Sequence, residues 1–169
     1  GWLGVILPIA GCGGGGSSGN GSAANGGGPA APSSSSLAGT AAVGAAIQTG
    51  TVTAECADGS GFTSTVTTNA DGTWSGNVGN ASLPCVITVT GGTPPVTLRS
   101  YASQPGTINI TPITDMVLAL TTGLADGSWI ATPANWPDAS TIASKKTELL
   151  AAMTNAGFTL PGGDPFSTA

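Results

Sequence analysis

The sequence predicts a mainly β fold, an antiparallel sandwich followed by two C-terminal helices. Three observations predict it. Between residues 50 and 111, short Thr- and Val-rich runs alternate with turn signals, and six or seven strands spaced this regularly fit an antiparallel sandwich. After residue 111 the apolar period lengthens to that of a helix. The composition is one of small side chains, with 28 Gly, 40% hydrophobic and 7% charged residues, unlike the polar, self-repelling composition of a disordered chain.

The front of the chain lies outside this fold. Residues 2–10, Trp2 to Ala10, form an apolar run too short to span a bilayer and similar to the apolar core of a signal peptide. No initiator Met or basic stretch precedes it, so the chain reads as truncated at its front. Ile9-Ala10-Gly11-Cys12 resembles a bacterial lipobox, which implies Cys12 as a candidate lipidation site facing outer-membrane lipid; Ile9 departs from the Leu that the motif prefers. Residues 1–12 are thus a signal-like segment. Residues 13–36 hold no large apolar side chain and read as a Gly/Ser-rich linker. About 130 residues remain from Leu37 onward, enough for one ordinary domain.

The β-domain is expected over 37–111. An edge strand is placed within 38–47. Residues 50–57 alternate and end at Asp58-Gly59. Residues 61–68 follow, closed by Asn69-Ala70-Asp71-Gly72, and then 73–78. Residues 84–90 end at Gly91-Gly92-Thr93-Pro94-Pro95, and 96–101 and 106–111 supply the last two strands. Inward candidates are Val52, Ala54, Cys56, Phe62, Val66, Trp74, one of Val86 and Ile87, Leu98, Ile108 and Ile110. Cys56 and Cys85 each fall in an expected strand. In an exported chain they should form a disulfide, which by chain entropy is worth about 3–4 kcal/mol.

Gly39-Thr40-Ala41-Ala42, Thr51-Val52-Thr53-Ala54, Cys56-Ala57-Asp58-Gly59, Asn69-Ala70-Asp71-Gly72-Thr73-Trp74 and Pro84-Cys85 resemble carboxypeptidase-regulatory-like or bacterial Ig-like modules. Asn109-Ile110-Thr111-Pro112-Ile113-Thr114 matches a passage that often follows in that group. The resemblance covers roughly residues 38–124. It implies an extracellular, Ig-like or prealbumin-like sandwich in a surface lipoprotein of a Gram-negative bacterium, and no peptidase activity.

Residues 112–169 are expected as a helical extension and tail. Thr111-Pro112 starts a helix, Thr as cap and Pro at the first helical position. Ile113, Met116, Val117, Leu120 and Leu124 recur at helical spacing, while Leu118 and Ala119 make the helix apolar on more than one face. It should bury against the sheet or against another subunit. Residues 125–137 read as loop. A second helix is expected from Asp138 or Ser140 to Ala156, stopped by Gly157, with Ile142, Leu149, Leu150 and Met153 as its packing stripe.

Composition narrows the function. Three Lys and Arg against eight Asp and Glu give a net charge of −5. Arg99, Lys145 and Lys146 cannot build the basic surface that nucleic acid requires. With no histidine, Ser-His-Asp, Cys-His and HExxH devices are absent, and no catalytic, cofactor-binding or metal-ligating residue is assigned. Asp58 and Asp71 precede Gly and read as turn formers. The expectation is a non-enzymatic structural subunit of an extracellular or cell-surface filament or fibre, whose partners are copies of itself. Its sheet edges would be completed by strands from neighbours. The alternatives are a tethered surface lipoprotein with an adhesive role, or a carbohydrate-binding module using Trp129 and Trp136 as aromatic contacts.

Overall fold

The structure, a computed structural model, describes residues 34–168. Residues 1–33, with the lipobox-like Cys12, the signal-like segment and most of the linker, lie outside the described residues. Seven strands run in the order β1 (Ser34–Thr40), β2 (Thr51–Cys56), β3 (Val66–Thr67), β4 (Thr73–Gly79), β5 (Cys85–Gly91), β6 (Val96–Ala102) and β7 (Gly106–Thr107), followed by α1 (Pro112–Thr122) and α2 (Ala139–Asn155). The protein is mainly β with two helices at its C-terminal end.

The strands form two sheets, ordered β4-β1-β7 and β3-β2-β5-β6. Pairing is antiparallel except between β1 and the short β7, which run parallel with Leu37 opposite Gly106. The sheets share one core. Leu37, Trp74 and Val78 from the first meet Val52, Ala54, Ile87, Val89 and Leu98 from the second, as period-two alternation requires. Phe62, half-buried, packs its ring edge-on to Trp74 at 5.9 Å.

Several expectations shift. The strand placed within 38–47 opens earlier, at Ser34, and is the central strand of its sheet, because only Leu37 marks an apolar alternation in a run of serines. Of residues 61–68 only Val66–Thr67 pair with β2. Thr63 instead donates its N–H to the Asn77 carbonyl of β4 in the other sheet, at 2.8 Å, so this segment crosses between sheets. The strand expected over 106–111 shrinks to Gly106–Thr107 plus an isolated bridge from Ala41 to Ile110. Val86 and Ile87 are both fully buried. Ile87 faces the core between the sheets, while Val86 faces a second core with Tyr101, Val117, Leu118, Trp129, Ile130, Ile142 and Leu149. A strand covered on both faces reads as a continuous apolar run.

α1 starts as expected. Thr111 caps it, Pro112 sits in the first turn, and Thr111 and Thr114 complete a reciprocal capping box. Gly123 ends it in the left-handed conformation at φ 74°. Its buried residues are Thr114, Val117 and Leu118. Met116, Leu120 and Leu124, expected in the packing stripe, are 43%, 54% and 44% exposed. The stripe is displaced because Thr114 turns inward as a polar contact to β6 and sets the helix rotation. α2 is capped by Asp138 and buries Ile142 and Leu149.

Candidate functional site

The β2–β5 register places Cys56 directly opposite Cys85, and the two sulfurs are bonded at 2.01 Å across a Cα separation of 3.9 Å. The expected disulfide therefore staples neighbouring strands of one sheet, with both cysteines buried.

Beside it, Asp58 gathers the loops at either end of the staple. Its carboxylate accepts the Ser60 N–H at 2.9 Å and hydroxyl at 2.5 Å, and the Ser82 hydroxyl at 2.8 Å. These bonds, the Ser60 hydroxyl foremost, hold the carboxyl below its ordinary range. A carboxylate so stabilised is a weak base, and the arrangement ties the β2–β3 loop to the turn before β5. Asp71 does the same for its own turn, accepting the Thr73 hydroxyl and N–H at 2.6 and 3.0 Å.

Trp129 and Trp136 are brought together, their centroids 6.2 Å apart, but at an interplanar angle of 78°. Trp129 is buried and Trp136 donates its indole N–H to the Ile130 carbonyl at 3.0 Å. Two rings at this angle, one of them buried, do not make a flat platform for a sugar; they pin the loop between the helices. Among the described residues no group of three or more His, Cys, Asp or Glu is placed to hold a metal ion, and no helix is long and apolar enough to cross a membrane.

Comparison with protein-family profiles, with curated proteins and with solved structures yields no match for this chain.

Two polar residues with structural consequences carry little sequence signal. Thr114, fully buried, accepts the Thr111 N–H and donates its hydroxyl to the Arg99 carbonyl, both at 2.9 Å. Asp115 accepts the Arg99 N–H at 3.1 Å. Together they satisfy both outward backbone groups of β6 at Arg99, on an edge strand that would otherwise present them open. The only hint in the sequence is Thr-Pro-Ile-Thr, where Thr stands at the capping-box position usually held by Glu or Gln. Burial is the largest influence on Asp115 and raises its carboxyl, against the pull of Arg99. Arg99 also reaches the Ala125 and Asp126 carbonyls at 3.4 and 3.1 Å, anchoring the chain that leaves α1.

Asn109 is the second such residue. It is buried and its side-chain oxygen accepts the Thr40 N–H at 3.1 Å while its amide donates to the Thr168 carbonyl at 2.8 Å. Its backbone N–H donates to the Phe166 carbonyl at 2.7 Å. One asparagine thus binds β1 and the C-terminal tail to the same point.

Proposed function

We propose that this chain is a non-enzymatic structural subunit of an extracellular or cell-surface assembly, a filament or fibre in which copies pack through β and helical surfaces. The observation that carries the reading is the exposure of Met116 and Leu120 on α1, with Leu124 just past the end of the helix. Met116 and Leu120, four residues apart, lie one above the other on the helix, and large apolar side chains exposed side by side are a common mark of an interaction surface. A second support is the edge of β1. β7 pairs with it only at Leu37 and Ala38, so among the described residues its serine end has no strand beside it on that side, and that end suits strand addition.

The finer fold proposed is the Ig-like or prealbumin-like sandwich, supported by two facing sheets over one core and set against by the parallel β1–β7 pair. The location proposed is the extracellular space or outer-membrane surface of a Gram-negative bacterium. The disulfide supports it, since such bonds persist in oxidising compartments, as does the Ile9-Ala10-Gly11-Cys12 sequence. That same sequence favours a second reading, a tethered surface lipoprotein with an adhesive role.

Sedimentation and negative-stain imaging of the oxidised chain test the proposal. Regular polymers are expected, and Leu120→Glu should suppress them while leaving the far-UV circular dichroism unchanged. A wild-type chain that stays monomeric at every concentration reached, with a diacylglyceryl mass on Cys12 in the native material, would replace the subunit reading with the tethered one.

A further inference from the structure

A cavity of about 340 Å³ opens between α2, the β6–β7 loop and the C-terminal tail. One face of α2, from Ala139 to Lys146, forms one wall; Gln104 and Tyr101 stand on the sheet side, and Asp164 and Phe166 close the third. We propose that this cavity binds a neutral ligand bearing adjacent hydroxyls, a pyranose ring of a glycan, through the Lys146–Asp164 pair with Phe166 as its apolar wall. The proposal is independent of the assembly reading, and uses neither Trp129 nor Trp136.

Charge decides the class of ligand. Lys146 Nζ lies 2.7 Å from Asp164 Oδ2, so the two charges answer one another and the cavity is neutral as a whole. A charged ligand would have to displace one partner from the other. The pair still has capacity to spare. An ammonium carries three donors and a carboxylate accepts about four bonds, while the described partners are this contact and the Phe166 N–H on Asp164 Oδ1 at 2.9 Å. A donor and an acceptor one hydrogen bond apart match two neighbouring hydroxyls, each of which can accept from the ammonium and donate to the carboxylate.

The remaining walls suit the rest of a sugar ring. Lys146 Nζ lies over the Phe166 ring, 5.9 Å from its centroid, so the polar pair and the ring adjoin, and the part of Phe166 that lines the cavity offers apolar surface to the C–H groups of a pyranose. Gln104 adds an amide, and Tyr101 a hydroxyl that burial, with the Asp138 carboxylate nearby, keeps protonated. The wall carrying Phe166 is held in place by Asn109, through the Phe166 carbonyl at 2.7 Å and the Thr168 carbonyl at 2.8 Å, and a site built before its ligand arrives loses less entropy on binding. The volume lies at the small end of ligand pockets, which fits one ring rather than a long oligosaccharide.

The test is titration of the oxidised, ¹⁵N-labelled full chain with the methyl glycosides of glucose, galactose, mannose and N-acetylglucosamine, with L-alanine as a zwitterionic control. At least one glycoside should give saturable shifts that centre on the Gln104 side-chain amide and the Lys146 and Phe166 backbone. Ala143→Leu, which fills the cavity from an exposed helical position, should weaken that binding about tenfold or more, equivalent to about 1.4 kcal/mol. Lys146→Met should do the same, and its spectrum reports whether it folds; if it does not, Ala143→Leu alone carries the test. Absence of shifts with all four glycosides would overturn the proposal. So would shifts centred on Trp129 and Thr132, binding indifferent to Ala143→Leu, or saturation by L-alanine alone.

Discussion

The Asp115 carboxylate accepts the backbone N–H of Arg99 at 3.1 Å and lies 3.5 Å from its guanidinium. A strand edge and a helix start are joined at that point. Thr114, one residue earlier, takes the Arg99 carbonyl, so neighbouring side chains of α1 serve both backbone groups of one β6 residue.

Thr114→Val keeps the side-chain volume and removes the hydroxyl. The Arg99 carbonyl and the Thr111 N–H then lose a fully buried partner in a part-buried setting, where each orphaned group costs up to about 1–3 kcal/mol. Urea denaturation should show a loss of about 2–4 kcal/mol, whereas Thr114→Ser, which retains both bonds, should lose much less. Equal losses would show that packing, not hydrogen bonding, governs the position.

Asp138 caps α2, and the Ser140 hydroxyl and Thr141 N–H hold its carboxyl down to about 2. A folded value below the ordinary 3.8 means the stabilisation is present above that pH and is lost as pH falls toward 2. Asp138→Ala should therefore lower the melting temperature at neutral pH, and the gap from wild type should close as the pH is taken down to about 2. Asp115 has the opposite sign. Burial raises its carboxyl, so its contribution is greatest below the ordinary carboxylate range and declines as pH rises through the folded value. The advantage of wild type over Asp115→Asn should accordingly shrink from acid toward neutral pH.

The Cys56–Cys85 bond spans a sequence separation of 29 residues. Replacing both cysteines with alanine should lower the unfolding free energy by about 3–4 kcal/mol on the chain-entropy account, read as a shift in urea midpoint. Because both sulfurs belong to buried residues, reductant should act on the folded protein slowly and on the urea-unfolded protein quickly.

Gly39 lies where β1 passes Ile108. A Cβ built on it would sit 1.8 Å from the Ile108 carbonyl oxygen, and backbone cannot turn aside as a side chain can. Gly39→Ala should cost about 3 kcal/mol or more, at or beyond the upper end for overpacking, seen as a lowered melting temperature or loss of soluble protein. A variant as stable as wild type would mean that β1 and the chain after β7 part without cost.

The middle of the sheet was legible because its residues see one environment per face. Val52, Ala54 and Cys56 alternate with exposed neighbours, and β2 lies where alternation puts it. Both helices were legible from caps, Thr111 and Asp138, that act through local hydrogen bonds. What escaped depends on distant partners. Ser34–Ser36 belong to β1 through pairing with Gly79, Val78 and Asn77, yet carry the composition of a linker. Phe62 and Thr63 alternate like a strand but answer to β4 in the opposite sheet. The rotation of α1 follows from one buried threonine, and an apolar pattern that allows several faces could not choose among them. The staple was readable as a pair of cysteines in expected strands. The Asn109 clamp and the cavity it borders depend on residues 164–168, which carry almost no periodic signal.

Asn109 joins chain segments 69 and 59 residues away from it, through Thr40 and Thr168. Disturbance at residues 166–168 is therefore felt in the middle of a sheet. A protease that clipped the chain after Pro165 would remove the acceptors of both the backbone N–H and the side-chain amide of buried Asn109 and loosen its grip on β1, so amide protons of Thr40 and Ile110 should begin to exchange sooner although neither was cut. In this molecule residues 166–168 are latched to the sheet through Asn109.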